Sequence, residues 1–167
     1  ILFINKDFVG AAEQYATLSN LSNDLPLANL LQLVALKQTG LDDRQIKQQL
    51  EATLQQQPDY PQLQYALARL LAGSKTHGDT HKARSIINQP GAGLPMPEYN
   101  EVMALCAASE GQFKQAVEHQ QQAIAGALWM GRSVQRMSED LNAYENKKPA
   151  DEYWPTDDPS LSPPLPD

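Results

Sequence analysis

Between residues 7 and 146 the sequence is a succession of short amphipathic segments separated by Gly and Pro. Ala, Leu and Gln dominate these segments, whereas Val, Ile and Thr are sparse, and this composition favours helix over strand. In the first segment Phe8, Ala11, Ala12, Tyr15 and Leu18 recur at three- and four-residue spacing, which places them on one face of a helix. We therefore predict an all-α fold.

Capping residues and breaks divide this stretch into eight helices. Asp42 and Asp79 are natural N-cap residues, Gly40 ends the second helix, and Pro149 ends the last one. The predicted helices cover about residues 7–18, 26–39, 42–57, 61–72, 80–88, 97–110, 114–125 and 128–146.

The pair of helices from Pro97 to Met130 carries small residues at regular positions. Ala104 lies midway along its first helix, Gly111 lies at the turn, and Ala116 and Ala123 lie seven apart in its second helix. Small residues are required where two helices approach too closely for bulky side chains. This arrangement resembles the tetratricopeptide repeat (TPR) family.

The resemblance implies a right-handed α-α superhelix of about three and a half TPR-like helix pairs, with the last helix as a cap. Two less regular pairs precede the best one, at residues 27–60 and 61–96, and residues 5–18 are similar to the second helix of a pair. The predicted domains are a TPR-like helical repeat domain over residues 1–148 and an extended, Pro-rich acidic tail over residues 149–167.

Charge and composition exclude several classes of partner and site. The chain of 167 residues has a net charge of −7, which argues against general affinity for nucleic acid or for anionic membranes. No window approaches 18 consecutive apolar residues, so we expect no membrane insertion. A single cysteine, Cys106, rules out an intramolecular disulfide and a four-cysteine zinc site.

Candidates for catalysis are few, and we predict that the chain is not an enzyme and binds no cofactor or metal. His77 and His81 are four apart, but His77 precedes the helix, so they should not share a helical face. Cys106 has small apolar neighbours, where burial raises the pKa of a thiol. The acidic pair Glu98/Glu101 suits a helix start, whereas Glu139-Asp140 and Asp157-Asp158 are expected to be solvated.

TPR stacks hold a partner segment in a concave groove lined by the first helix of each pair, and the resemblance implies which residues line it here. We expect Arg69 to pair with an acidic group and Tyr65 to stack on a ligand. The Lys, Asn and Arg clamp by which some members grip a C-terminal carboxylate is absent. The predicted lining residues are Leu31, Gln32, Tyr65, Arg69, Glu98, Glu101, Val102 and Leu105.

The tail is the least globular part of the sequence, because its prolines favour an extended chain and its acidic residues repel one another. Trp154 is the expected anchor, packed against the last helices of the chain. A sharper hypothesis is that Leu161–Leu165 occupies a surface groove, of this molecule or of a neighbour, as a partner peptide would.

These observations predict a non-catalytic scaffold that binds a protein or peptide in a concave helical groove. The alternative is an accessory or regulatory domain of a larger enzyme whose catalytic part lies before Ile1, and catalysis through Glu and His side chains stays open as a third reading. Because the first residue is not Met, we expect that a signal peptide or another domain precedes it. We expect the chain to be one domain of a larger polypeptide, of bacterial origin. The sequence assigns no compartment.

Overall fold

The computed structural model describes residues 6–21, 25–89, 93–155 and 158–161. These residues form eight α-helices and no strand, which confirms the all-α prediction. The helices are α1 (Phe8–Leu21), α2 (Leu25–Gln38), α3 (Asp43–Gln56), α4 (Pro61–Gly73), α5 (Thr80–Ile87), α6 (Met96–Ser109), α7 (Phe113–Trp129) and α8 (Gln135–Glu145).

The chain divides into two compact units, and the boundary falls within α4. Unit 1 comprises Ile1–Ala66 together with Trp154–Asp167, and unit 2 comprises Leu67–Tyr153. In unit 1, α2 packs mainly against α1 and to a smaller extent against α3. The apolar core of unit 1 includes the fully buried side chains of Leu30, Val34, Ile46, Leu50 and Leu63.

In unit 2 the most extensive pairing is that of α6 with α7, while α8 packs on α7 and α5 on α6. Ala104 and Ala116 lie in one buried cluster with Tyr144, and Ala123 lies in a second with Met137. All three of these alanines are fully buried, as expected of small residues at close helix contacts.

Local capping signals account for several helix ends. The Asp42 side chain accepts from the Arg44 backbone N–H at 2.9 Å, and the Asp79 side chain accepts from the Lys82 N–H at 2.9 Å, so both predicted N-caps are confirmed. Gly111 adopts a φ of +74° immediately after α6, in the left-handed region that glycine enters without strain.

The predicted start of the last helix, at residue 128, was wrong. Helix α7 continues to Trp129, and α8 begins only at Gln135. Gly131, with a φ of +71°, ends α7: its N–H bonds to the Leu128 carbonyl at 3.0 Å, and the Arg132 N–H bonds to the Ala127 carbonyl at 2.9 Å. This Schellman-type ending satisfies carbonyls that the end of a helix leaves open.

Over the described ranges, no helix combines the length and the apolar character needed to span a bilayer.

Candidate functional site

Nearly all the predicted groove-lining residues are buried in this structure. Gln32 is half-buried, and the exposed fractions of the other seven are between 0% and 5%. In each unit one of them bonds to residues near the C-terminus: Tyr65 in unit 1 and Arg69 in unit 2. The buried members are Leu31, Tyr65, Arg69, Glu98, Glu101, Val102 and Leu105.

In unit 1, the Tyr65 side chain projects from α4 to a residue of the tail. Its hydroxyl donates a hydrogen bond to Asp158 Oδ2 at 2.8 Å. Both residues are 1% exposed. Water therefore cannot readily replace either partner, and a hydrogen bond to a charged group in such a setting contributes about 1.5–3 kcal/mol.

A second contact in unit 1 joins Trp154 to the backbone of α4. The indole N–H donates to the Ala66 carbonyl oxygen at 2.9 Å, and the indole is almost fully buried. A helical carbonyl has a second lone pair beyond its intrahelical bond, and the indole N–H reaches the Ala66 carbonyl oxygen. The helix can thus accept this donor without losing a backbone hydrogen bond of its own.

Residues 158–161 form a turn in which Asp158 and Leu161 are buried. Asp158 Oδ1 accepts from the Ser160 N–H at 2.9 Å, and the Leu161 N–H bonds to the Asp158 carbonyl at 3.0 Å. Leu161 is fully buried. We call the described residues from Trp154 to Leu161 the docked segment; none of them is in a helix or strand.

Two expectations about the tail need correction, and one lies partly outside the described residues. The hydrogen bond that anchors Trp154 goes to α4, not to the last helices. Asp158 is buried rather than solvated, because Tyr65 and the Ser160 N–H supply the hydrogen bonds that water would otherwise make. Of the proposed Leu161–Leu165 peptide, Leu161 is docked and residues 162–165 lie outside the described part of the chain.

In unit 2, Arg69 lies at the centre of a buried charge cluster. Its Nε donates to the Tyr153 carbonyl oxygen at 2.5 Å, and its Nη1 lies 3.2 Å from Glu101 Oε1 on α6. The predicted pairing of Arg69 with an acidic group is therefore present, but the acid belongs to the same chain. Arg69 is 1% exposed, so these partners must offset the free-energy cost of removing its charge from water.

Arg136 on α8 extends the cluster. Its Nη2 lies 2.5 Å from Glu101 Oε1 and its Nη1 lies 3.0 Å from Asp140 Oδ2. Burial raises the pKa of Asp140 to about 6, outweighing the attraction of Arg69 and Arg136, and Glu101 and Glu139 raise it further. Asp140 is therefore not the solvated acid that the sequence suggested.

Glu98 and Glu101 do more than complement the dipole at the start of α6. Glu98 Oε1 lies 2.6 Å from Arg132 Nη1, which ties the first turn of α6 to the turn after α7. Glu101 joins α6 to α4 through Arg69 and to α8 through Arg136. These arginines are distant in sequence, so helix periodicity gave no signal for the pairs.

Cys106 and a further histidine, His119, each have a hydrogen-bond partner within the folded chain. Cys106 is fully buried, and burial raises the pKa of its thiol to about 12, as its apolar neighbours suggested. His119 Nδ1 lies 3.0 Å from Asn100 Oδ1, and burial lowers the pKa of His119. The residues that the structure describes contain no group of three or more His, Cys, Asp or Glu side chains placed to hold a metal ion.

Comparison of the chain with protein-family models, with curated proteins and with solved structures gives no match.

Proposed function

We propose that this chain is a non-catalytic scaffold that binds a protein or peptide segment on its helices. The proposal includes the finer architecture suggested by the sequence, a right-handed superhelix of about three and a half TPR-like helix pairs. The burial of Ala104, Ala116 and Ala123 in unit 2 supports that part, because a TPR-like pair needs small residues there.

The observation that carries the proposal is the way α4 holds the docked segment in unit 1. A segment whose described residues are in no helix or strand is bound through a hydroxyl donor, Tyr65, and a backbone acceptor, the Ala66 carbonyl, and its Leu161 is fully buried. Peptide-binding surfaces combine the same elements: a few placed polar groups that fix register and an apolar site that supplies affinity.

The surroundings of Cys106 support a role without catalysis. A nucleophilic cysteine acts as its thiolate and needs a lowered pKa and access to substrate. Cys106 is fully buried, burial raises the pKa of its thiol to about 12, and its Sγ lies 3.8 Å from the Thr80 carbonyl oxygen.

Selection of displayed random peptides against the full chain tests the proposal. We expect enriched peptides that bind the folded chain saturably, with one site per chain, and that no longer bind in urea at a concentration that removes the helical circular-dichroism signal. An unrelated helical protein of similar net charge is the control. Failure to enrich any peptide above that control contradicts the proposal.

A further inference from the structure

We infer that the surface of α4 formed by Tyr65 and Ala66, here called the Tyr65 surface, recognises partner segments of one chemical pattern. The pattern is an indole, a carboxylate four residues later and a leucine seven residues later, and the docked segment is an internal competitor that carries it. This inference rests on the proposed function and names the class of partner for that site.

The first element of the pattern is the indole of Trp154. Only an indole supplies a large apolar ring together with an N–H donor at its edge. That N–H reaches the Ala66 carbonyl at 2.9 Å. Phe has no donor, and a Tyr hydroxyl lies at a different place on its ring, so neither reproduces the contact.

The second element is the carboxylate of Asp158, both of whose oxygens are used. Oδ2 accepts from the Tyr65 hydroxyl and Oδ1 accepts from the Ser160 N–H. An asparagine has one acceptor oxygen and would lose one of the two bonds. The carboxylate therefore both contacts α4 and shapes the turn that follows it.

The third element is the leucine. Leu161 is fully buried, and its N–H bonds to the Asp158 carbonyl, which fixes the distance between carboxylate and leucine. The three anchors thus have a set spacing that a partner peptide can copy. The pattern is distinct from a C-terminal carboxylate clamp, because the carboxylate is a side chain within the segment.

A partner can bind the Tyr65 surface only when the docked segment has left it. A segment of the same chain competes at a high effective concentration, so a partner must outcompete it or bind when it has been weakened. Release of the docked segment leaves the backbone hydrogen bonds of α4 intact, since the Ala66 carbonyl accepts the indole on its second lone pair.

The test uses the full chain with Asp158→Asn, which weakens the internal competitor, labelled with ¹⁵N. The probes are two synthetic peptides with the sequence of residues 151–161, one unchanged and one with Asn in place of Asp158. The reporter is the Trp154 indole N–H signal, with the Trp129 indole, which is 89% exposed, as internal reference. A scrambled peptide controls for charge.

We expect the unchanged peptide to bind and to shift the Trp154 indole signal to the position of a solvent-exposed indole. It should bind about tenfold or more tightly than the Asn peptide, because it restores the bond from Tyr65 to a carboxylate. Adding Tyr65→Phe to the labelled chain should abolish this preference. The same titration of the unsubstituted chain, at higher peptide concentration, gives the result independently of how well the variant folds.

Other outcomes overturn the inference in distinguishable ways. Binding that leaves the Trp154 indole unmoved and shows no preference for Asp would place the peptide elsewhere and leave the proposed function standing. No binding of either peptide would make the docked segment a fixed part of the fold, and the displayed-peptide selection would then decide the proposed function separately. A dimer of the variant that the peptide does not dissociate would assign the surface to a second copy.

Discussion

The Tyr65 hydroxyl donates to Asp158 Oδ2 across 2.8 Å, joining residues 93 positions apart in the sequence. Tyr65 belongs to a helix and Asp158 to a turn in the Pro-rich tail. Because both are almost fully buried, this contact ties the tail to unit 1, and it links the predicted groove residue to an occupant within the same chain.

Replacing Tyr65 by Phe should therefore lower the free energy of unfolding. The ring still packs, but Asp158 loses a buried donor, and we expect a loss of about 1.5–3 kcal/mol in urea titrations. Tyr99→Phe is the matched control. The Tyr99 hydroxyl donates to Asn88 Oδ1 at an exposed site, where water can replace it, so the loss should stay below about 1 kcal/mol. Equal losses in the two variants would show that the buried Tyr65–Asp158 hydrogen bond contributes no more to stability than the exposed Tyr99–Asn88 one.

The two tryptophans should differ in fluorescence. The chain with Trp129→Phe reports on buried Trp154, and we expect emission at short wavelength with little quenching by acrylamide. The chain with Trp154→Phe reports on Trp129, which is 89% exposed and should emit and quench like a free indole. If Trp154 is quenched as strongly as Trp129, the docked segment is not held on α4 in solution.

Glu101 should matter far more for stability than a glutamate in an exposed ion pair. Glu101→Gln leaves Arg69 and Arg136 without their shared carboxylate, and breaking a buried pair costs about 3–5 kcal/mol. Glu110→Gln breaks the pair with Arg84 on the surface and should cost about 1 kcal/mol or less. Chemical denaturation of both variants measures the difference, and similar costs would refute the buried cluster in unit 2.

Asp140 gives the stability a defined pH dependence. Burial raises its pKa from 3.8 to about 6, so the folded chain binds more protons than the unfolded chain between these values. The Asp140 contribution to the free energy of unfolding should then fall as the pH rises from about 4 to about 6 and stay constant above that.

This fall in the free energy of unfolding between pH 4 and 6 should disappear in Asp140→Asn. It should persist in Glu145→Gln, which removes an exposed carboxylate from the same helix. Denaturation at a series of pH values measures it, and NMR titration of the Asp140 carboxyl gives the midpoint directly. A midpoint near 4 would mean that Arg136 and Arg69, rather than burial, control this group.

The helices could be predicted from the sequence because their signals are local. Asp42 and Asp79 cap the helices that begin beside them, and Gly111 ends α6 within one turn. The error at residue 128 has the same origin: Gly126 reads as a break, but it lies within α7, packed close to Pro97, and the chain turns only at Gly131.

The sequence predicts some residues of the site but not their partners, because most of the contacts join residues far apart in the sequence. The sequence predicts a binding role for Tyr65 and Arg69, yet nothing local indicates that Asp158 and Glu101 are their partners. The acids at 140 and 158 looked solvated because an acidic residue is usually exposed unless a donor or cation meets it. Arg136 lies four residues before Asp140 on the same helix, a pairing that the sequence itself contains. Only the three-dimensional arrangement brings Tyr65 to Asp158.

Hydrogen exchange of the Trp154 indole N–H tests the central claim, that the docked segment occupies α4 as a releasable ligand, most directly. The account predicts exchange through a local opening that is faster than that of the slowest backbone amides of α2 in unit 1, and Tyr65→Phe should accelerate the indole exchange about tenfold or more. Exchange of the indole at the rate of global unfolding, no faster than that of the slowest amides, would contradict it.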